Sequence, residues 1–172
     1  MELCRYISDM PKETPLIRPT NDEARLIARG LIQHAHFGAL AVLCPDTGLP
    51  HVTRIAVGTS PARTPLTLIS DLSFHTSALR NNPHCSLLLG EPTIKGDPLT
   101  HPRITLTCKA GFLPRNAPEH AQIREHYLSH QPKSKLYIDF ADFNFVLFNI
   151  QSASLNSGFG KAYDLSVEDC KP

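Results

Sequence analysis

The chain has 172 residues, enough for one domain with a substantial core. Apolar residues make up 41%, charged residues 19%, and the net charge is +1, a balance that excludes an extended basic surface for nucleic acid. No apolar run approaches the roughly 20 residues that span a bilayer, so no membrane partner is expected.

The N-terminal MELCRYISDMPKETP carries acidic residues and no apolar signal core, so a cytoplasmic location is expected. Cys4, Cys44, Cys85, Cys108 and Cys170 are scattered, odd in number and never in CxxC spacing. That argues against zinc ribbons and disulfide frameworks and for reduced thiols, with Cys44, Cys85 and Cys108 as small core fillers in strands.

Residues 1–19 contain Pro11, Pro15 and Pro19 and read as an irregular arm. Thr20 and Glu23 have capping-box spacing, and Ala24, Ile27, Ala28 and Leu31 recur on one helical face. Gly38 to Cys44 suits a buried strand. The turn residues Pro45 to Gly48 lead to a second strand, His51 to Val57. There Thr53, Ile55 and Val57 share one face, while Arg54 sits among small apolar neighbours on the other.

Leu66 to Leu89 reads as strand, polar loop, short helix, Asn-Asn-Pro turn and strand. The loop Ser70–Thr76 offers hydroxyls, an imidazole and backbone N–H groups where a helix begins near Ser73, the chemistry of an anion site. Strand 103–109 alternates Ile104, Leu106 and Cys108 with polar residues. Asn116 and Glu119 bracket a further helix start, with Pro118 in its first turn and Ile123 and Tyr127 facing inward to about His130. Phe143 to Ile150 is the last long strand, and residues 163–172 read as a tail.

About six strands with short turns and three marginal helices predict a single α+β domain over 1–172 that is mainly β. Its expected architecture is an antiparallel split β-barrel with flanking helices, which hides the strand edges. His126 and His130 share a helix face, but HYLSH lacks the glutamate of a zincin helix and offers no third ligand, so no metal site is expected. The Gly158-Phe159-Gly160 segment lacks the context of a phosphate loop and reads as a tight turn.

Three motifs in order carry a family resemblance. They are Arg54-Ile55-Ala56-Val57 after the first hairpin, Ser70 to Thr76 followed by Ala78-Leu79-Arg80-Asn81-Asn82-Pro83, and Arg103 opening its strand. Over about residues 35–160 the chain resembles the flavin-binding split barrels of the pyridoxamine 5′-phosphate oxidase superfamily. Asp139-Phe140-Ala141-Asp142-Phe143 and Gly158-Phe159-Gly160-Lys161-Ala162 resemble its HugZ/HutZ-type haem-utilisation branch.

The resemblance implies a homodimer with FMN at its interface. Arg54 would bind the phosphate, Ser73, His75 and Thr76 would surround it, and Ser70 would lie beside the flavin or ribityl chain. Arg103 would meet the flavin ring, and Lys161 would reach the cofactor from the partner chain. His75 stands where the oxidases usually carry lysine. The last histidine is His130, short of the C-terminal haem ligand of the HugZ/HutZ branch, and the oxidases' C-terminal arginine motif is absent, so vitamin B6 oxidation is not implied. The expected function is an FMN-binding oxidoreductase of unassigned substrate. The alternatives are a haem-binding protein and a non-enzymatic binding module.

Overall fold

The computed structural model describes residues 17–172. Most of the expected N-terminal arm, and Cys4, therefore lie outside the described residues. The elements in chain order are α1 (Asp22–Gln33), β1 (Phe37–Leu43), β2 (Pro50–Ala56), β3 (Gly58–Thr59), β4 (Pro65–Ser70), α2 (Phe74–Asn81), β5 (His84–Leu89), β6 (Arg103–Phe112), α3 (His120–His130), β7 (Phe143–Asn156), β8 (Ala162–Leu165) and α4 (Val167–Cys170). The strands form one curled antiparallel sheet in the order β2-β1-β5-β6-β7-β4-β3, with β8 also on β7. This is the expected mainly β, antiparallel split barrel with flanking helices.

β7 is long because it has two jobs. Its first half pairs with β4, its last residues with β8, and nearly all of it with β6. A register shift between Thr107 and Cys108 marks a bulge that curls the sheet at this seam. Leu40, Val42, Ile55, Leu87, Leu106 and Phe148 point to the inner face and form the main core with α1 and α2. A second cluster of Leu66, Leu68, Leu113, Ile123, Tyr127 and Phe145 seats α3. Burial of each such large side chain contributes about 1.5–3 kcal/mol.

Some helix ends differ from expectation. Asn21 caps α1 by accepting from the Ala24 N–H at 2.8 Å, while the Thr20 hydroxyl donates to the Asp164 carbonyl at 2.9 Å. The Thr20–Glu23 capping box therefore does not form. Ala24, Ala28 and Ile32 take the buried stripe of α1, leaving Ile27 and Leu31 only partly covered on its flank. α3 begins at His120, beyond Asn116 and Pro118, which sit in turns. The segment read as a tail instead supplies β8 and α4, with Tyr163, Leu165 and Cys170 buried. Arg25 Nε donates to Asp169 Oδ1 at 2.7 Å and ties α1 to α4.

Candidate functional site

The outer face of β2, β1 and β5 is unlike an ordinary solvated sheet face. Phe37, Val52 and Leu88 are 41%, 62% and 42% exposed, and the small residues Ala39 and Ala41 lie between them. Arg54 stands on this face. Its guanidinium carbon lies 5.6 Å from the Phe37 ring centroid, and Nη2 is 3.9 Å from Glu91 Oε1. Both partners leave the guanidinium largely in water.

Beside Phe37 a cleft of about 360 Å³ opens between α1 and the start of β1. Ile27, Leu31, Ala35, Phe37 and Pro102 give it apolar walls, and His34, His36 and Glu91 give it polar groups. Gly90 holds its back wall. A Cβ there would sit 2.5 Å from the Pro102 carbonyl oxygen, and φ is +99°, so only glycine fits without strain. The sequence stripe that placed Ile27 and Leu31 in the core has a different use here: they line the cleft.

The Ser70–Thr76 loop is more fully committed than its sequence suggests. Ser70 Oγ donates to Asp142 Oδ2 at 2.5 Å, and Thr76 Oγ1 donates to the Ser70 carbonyl at 2.7 Å. Asp71 pairs with Arg80 at 2.7 Å and accepts from Asn144. Ser73 is the N-cap of α2, yet its hydroxyl makes no capping bond. His75 Nε2 is buried without a hydrogen-bond partner. Burial, and then the neighbouring His51, hold His75 below the usual imidazole range, so it is neutral at pH 7.

The structure brings Ser70, Ser73, His75 and Thr76 together around one loop. Arg54 is apart from them, because strand alternation turns it away from the face of Ile55 and toward Phe37. Arg103 Nη1 donates to the Leu99 carbonyl at 3.0 Å and so braces the turn before β6. Lys161 lies 3.6 Å from Glu23 on α1. Arg103 and Lys161 share one end of the sheet, since Arg103 is opposite Asn156 and Asn156 opposite Ala162. In the sequence His34 and His36 read as residues on different helix faces, and neither Glu91 nor Asp142 carried a site role. The signal available for the first two was a pair of histidines at the point where helical periodicity gives way to a strand.

The thiols offer no nucleophile in the core. Burial pushes Cys85 and Cys170 up to about 11 and Cys108 higher still, so all three stay protonated.

Comparison with known proteins agrees with this architecture. The chain matches the family described as CREG, beta-barrel, over residues 19–170. It is 27% identical over 116 residues to the chloroplastic non-canonical heme oxygenase HOZ of Arabidopsis thaliana, a match covering 67% of this chain and 34% of that protein. A heme binding protein from Mycobacterium smegmatis superposes with a TM-score of 0.78 at 26% identity, covering 90% of this chain and 61% of that one. The chain therefore spans about a third of the plant relative and under two thirds of the mycobacterial one. HutZ of Vibrio cholerae, described as a heme storage protein, shares the fold with a TM-score of 0.62 at 18% identity, covering 79% of this chain and 94% of that one. The chain belongs to the CREG beta-barrel family.

Proposed function

We propose that this chain binds haem in the cleft between α1 and β1, as a haem-handling protein. The observation that carries the reading is the composition of that cleft: apolar walls from Ile27, Leu31, Ala35, Phe37 and Pro102, with His34 and His36 among its lining. A planar macrocycle requires apolar walls, its iron requires an imidazole nitrogen, and its propionates require a cation. Arg54, held over Phe37 beside Glu91, is the cation at hand. Two relatives, HOZ and the mycobacterial protein, carry haem in their names, which supports the same reading.

Bound haem would supply iron redox chemistry; the protein supplies ligation and burial. Ile27 and Leu31 exclude water from one side, and His34 or His36 offers the iron nitrogen. Arg54, only weakly paired with Glu91, would hold the propionates. The test is a haemin titration read at the Soret band.

A second reading is FMN, which would give the chain oxidoreductase capacity. The unpartnered His75 Nε2 and the uncommitted Ser73 hydroxyl favour it. Against a phosphate dianion at the base of this loop stand the Asp142 and Asp71 carboxylates, and the Ser70 and Thr76 hydroxyls are already donating elsewhere. A flavin absorbance spectrum of FMN-supplemented protein tests this reading. A third reading, a non-enzymatic binding module, predicts that neither ligand binds.

The exposed Phe37, Val52 and Leu88 also support a homodimer formed across the outer face, which equilibrium sedimentation checks. Among the described residues no helix is long and apolar enough to cross a membrane. The described cysteines, all free, fit a reducing compartment such as the cytosol.

A further inference from the structure

A second cleft, of about 340 Å³, lies on the other side of the α1–β1 turn. His34 and His36 line it from that turn, His126 and His130 from α3, and Thr59 and Arg63 from the β3 region. Nearly a hundred residues of sequence separate the two histidine pairs, so only the fold brings them face to face.

We propose that this cleft binds a divalent transition-metal ion of the imidazole-preferring class, such as Zn²⁺, Ni²⁺ or Cu²⁺. His126 and His130 form the chelating pair, and His34 or His36 supplies a third nitrogen from the facing wall.

His126 and His130 are one turn apart, and their ring centroids are 4.6 Å apart. The Nδ1 of His130 is 2.9 Å from the His126 carbonyl oxygen. A carbonyl only accepts, so Nδ1 carries the proton and donates it. Nε2 is then the ring nitrogen left for a metal. Metal-bound imidazoles are oriented in this way, by donating the other ring N–H to a carbonyl or carboxylate.

The walls are also fixed to one another. Gln131 Nε2 donates to the His36 carbonyl at 2.6 Å and the Val57 carbonyl at 2.9 Å, clamping the end of α3 to the β1 and β3 region.

Among the described residues no three His, Cys, Asp or Glu side chains converge as placed. The exposed His34 and His36 side chains must rotate to complete the shell, and their exposure lets them do so. Arg63 repels a dication, which points to a micromolar rather than a nanomolar site. The chelating pair lies on α3, outside the proposed haem cleft, but His34 and His36 line both clefts, so variants of His126 and His130 are what separate this site from the haem reading.

The test is calorimetry with Zn²⁺, and electron paramagnetic resonance with Cu²⁺, on the full chain without a histidine tag at pH 7.5. One ion per chain is expected, with nitrogen hyperfine structure on Cu²⁺. Affinity should fall at least about tenfold in His126→Ala or His130→Ala, equivalent to about 1.4 kcal/mol. His130→Gln keeps an amide donor for the carbonyl and guards against a folding artefact. His84→Ala, at the exposed first residue of β5, should bind as the wild type does. Equal Zn²⁺ affinity in a folded His126→Ala/His130→Ala double variant would overturn the proposal. So would the absence of saturable binding up to about 100 μM ion, far above a micromolar Kd.

Discussion

The Arg54 guanidinium lies over the Phe37 ring, 5.6 Å from its centroid, at the mouth of a cleft walled by α1. Neither residue is there for stability. Arg54 is three-quarters exposed, and its pairing with Glu91 spans 3.9 Å in water, worth little. Arg54→Ala should therefore leave the unfolding free energy within about 0.5 kcal/mol of the wild type. It should weaken haemin binding roughly tenfold by removing a charge-assisted contact to a propionate. Paired thermal melts and haemin titrations check both halves.

The contact between α1 and α4 gives a pH prediction. Hydrogen bonds from Ser166, and then Arg25, hold the Asp169 carboxyl down at about 2. The folded-state value lies below the unfolded one, so the stabilisation is complete above about pH 4 and disappears as pH falls toward 2. Discounted for partial solvent access, the effect is about 1 kcal/mol. Urea unfolding of wild type and Asp169→Asn should differ by that amount at pH 6 and converge near pH 2.

Tyr127 is fully buried against Phe145, and its hydroxyl makes no well-aligned hydrogen bond, although Ser134 and the Leu68 backbone lie close enough to offset part of its burial. Its desolvated phenol is pushed up to about 12. Removing an unsatisfied buried hydroxyl relieves a desolvation cost, so Tyr127→Phe should match or exceed wild-type stability. A loss above about 1 kcal/mol in chemical denaturation would contradict this. The neighbouring Gly58→Ala should cost about 1–3 kcal/mol, because a Cβ there would stand 2.9 Å from the Tyr127 ring.

Among the described cysteines, Cys44 should react first with a thiol reagent. It lies just past β1, and hydrogen bonds from the Thr47 hydroxyl and the turn N–H groups lower its pKa. Cys85, Cys108 and Cys170 are buried and raised, so they should react only on unfolding. Cys44→Ser should abolish the fast phase attributable to residues 17–172, followed by mass mapping of labelled peptides.

The strands were legible in the sequence because their signals are local. Alternation placed Ile104, Leu106 and Cys108 inward and set Arg54 on the face opposite Ile55, and both hold. Helix ends were less legible, since neighbouring polar residues compete for a cap: Asn21 displaced Thr20, and α3 started after the Asn116 turn. The clefts were hidden because their residues meet only in three dimensions. Leu31 looked like core until Gly90 and Pro102 came within reach of it, and His126 lacked a facing ligand until His34 and His36 lined the same space. The internal bonding of the Ser70–Thr76 loop was hidden for the same reason. Its hydroxyls were visible in sequence, but the Asp142 carboxylate that engages Ser70 is 72 residues away.

The most direct test of the haem reading is a haemin titration of the purified chain beside the His34→Ala/His36→Ala double variant. The account predicts a shifted, saturable Soret band at one haemin per chain in the wild type. In the double variant, folded by circular dichroism, that band should revert toward free haemin. A wild-type spectrum indistinguishable from free haemin, or an unchanged Soret shift in the double variant, would contradict it.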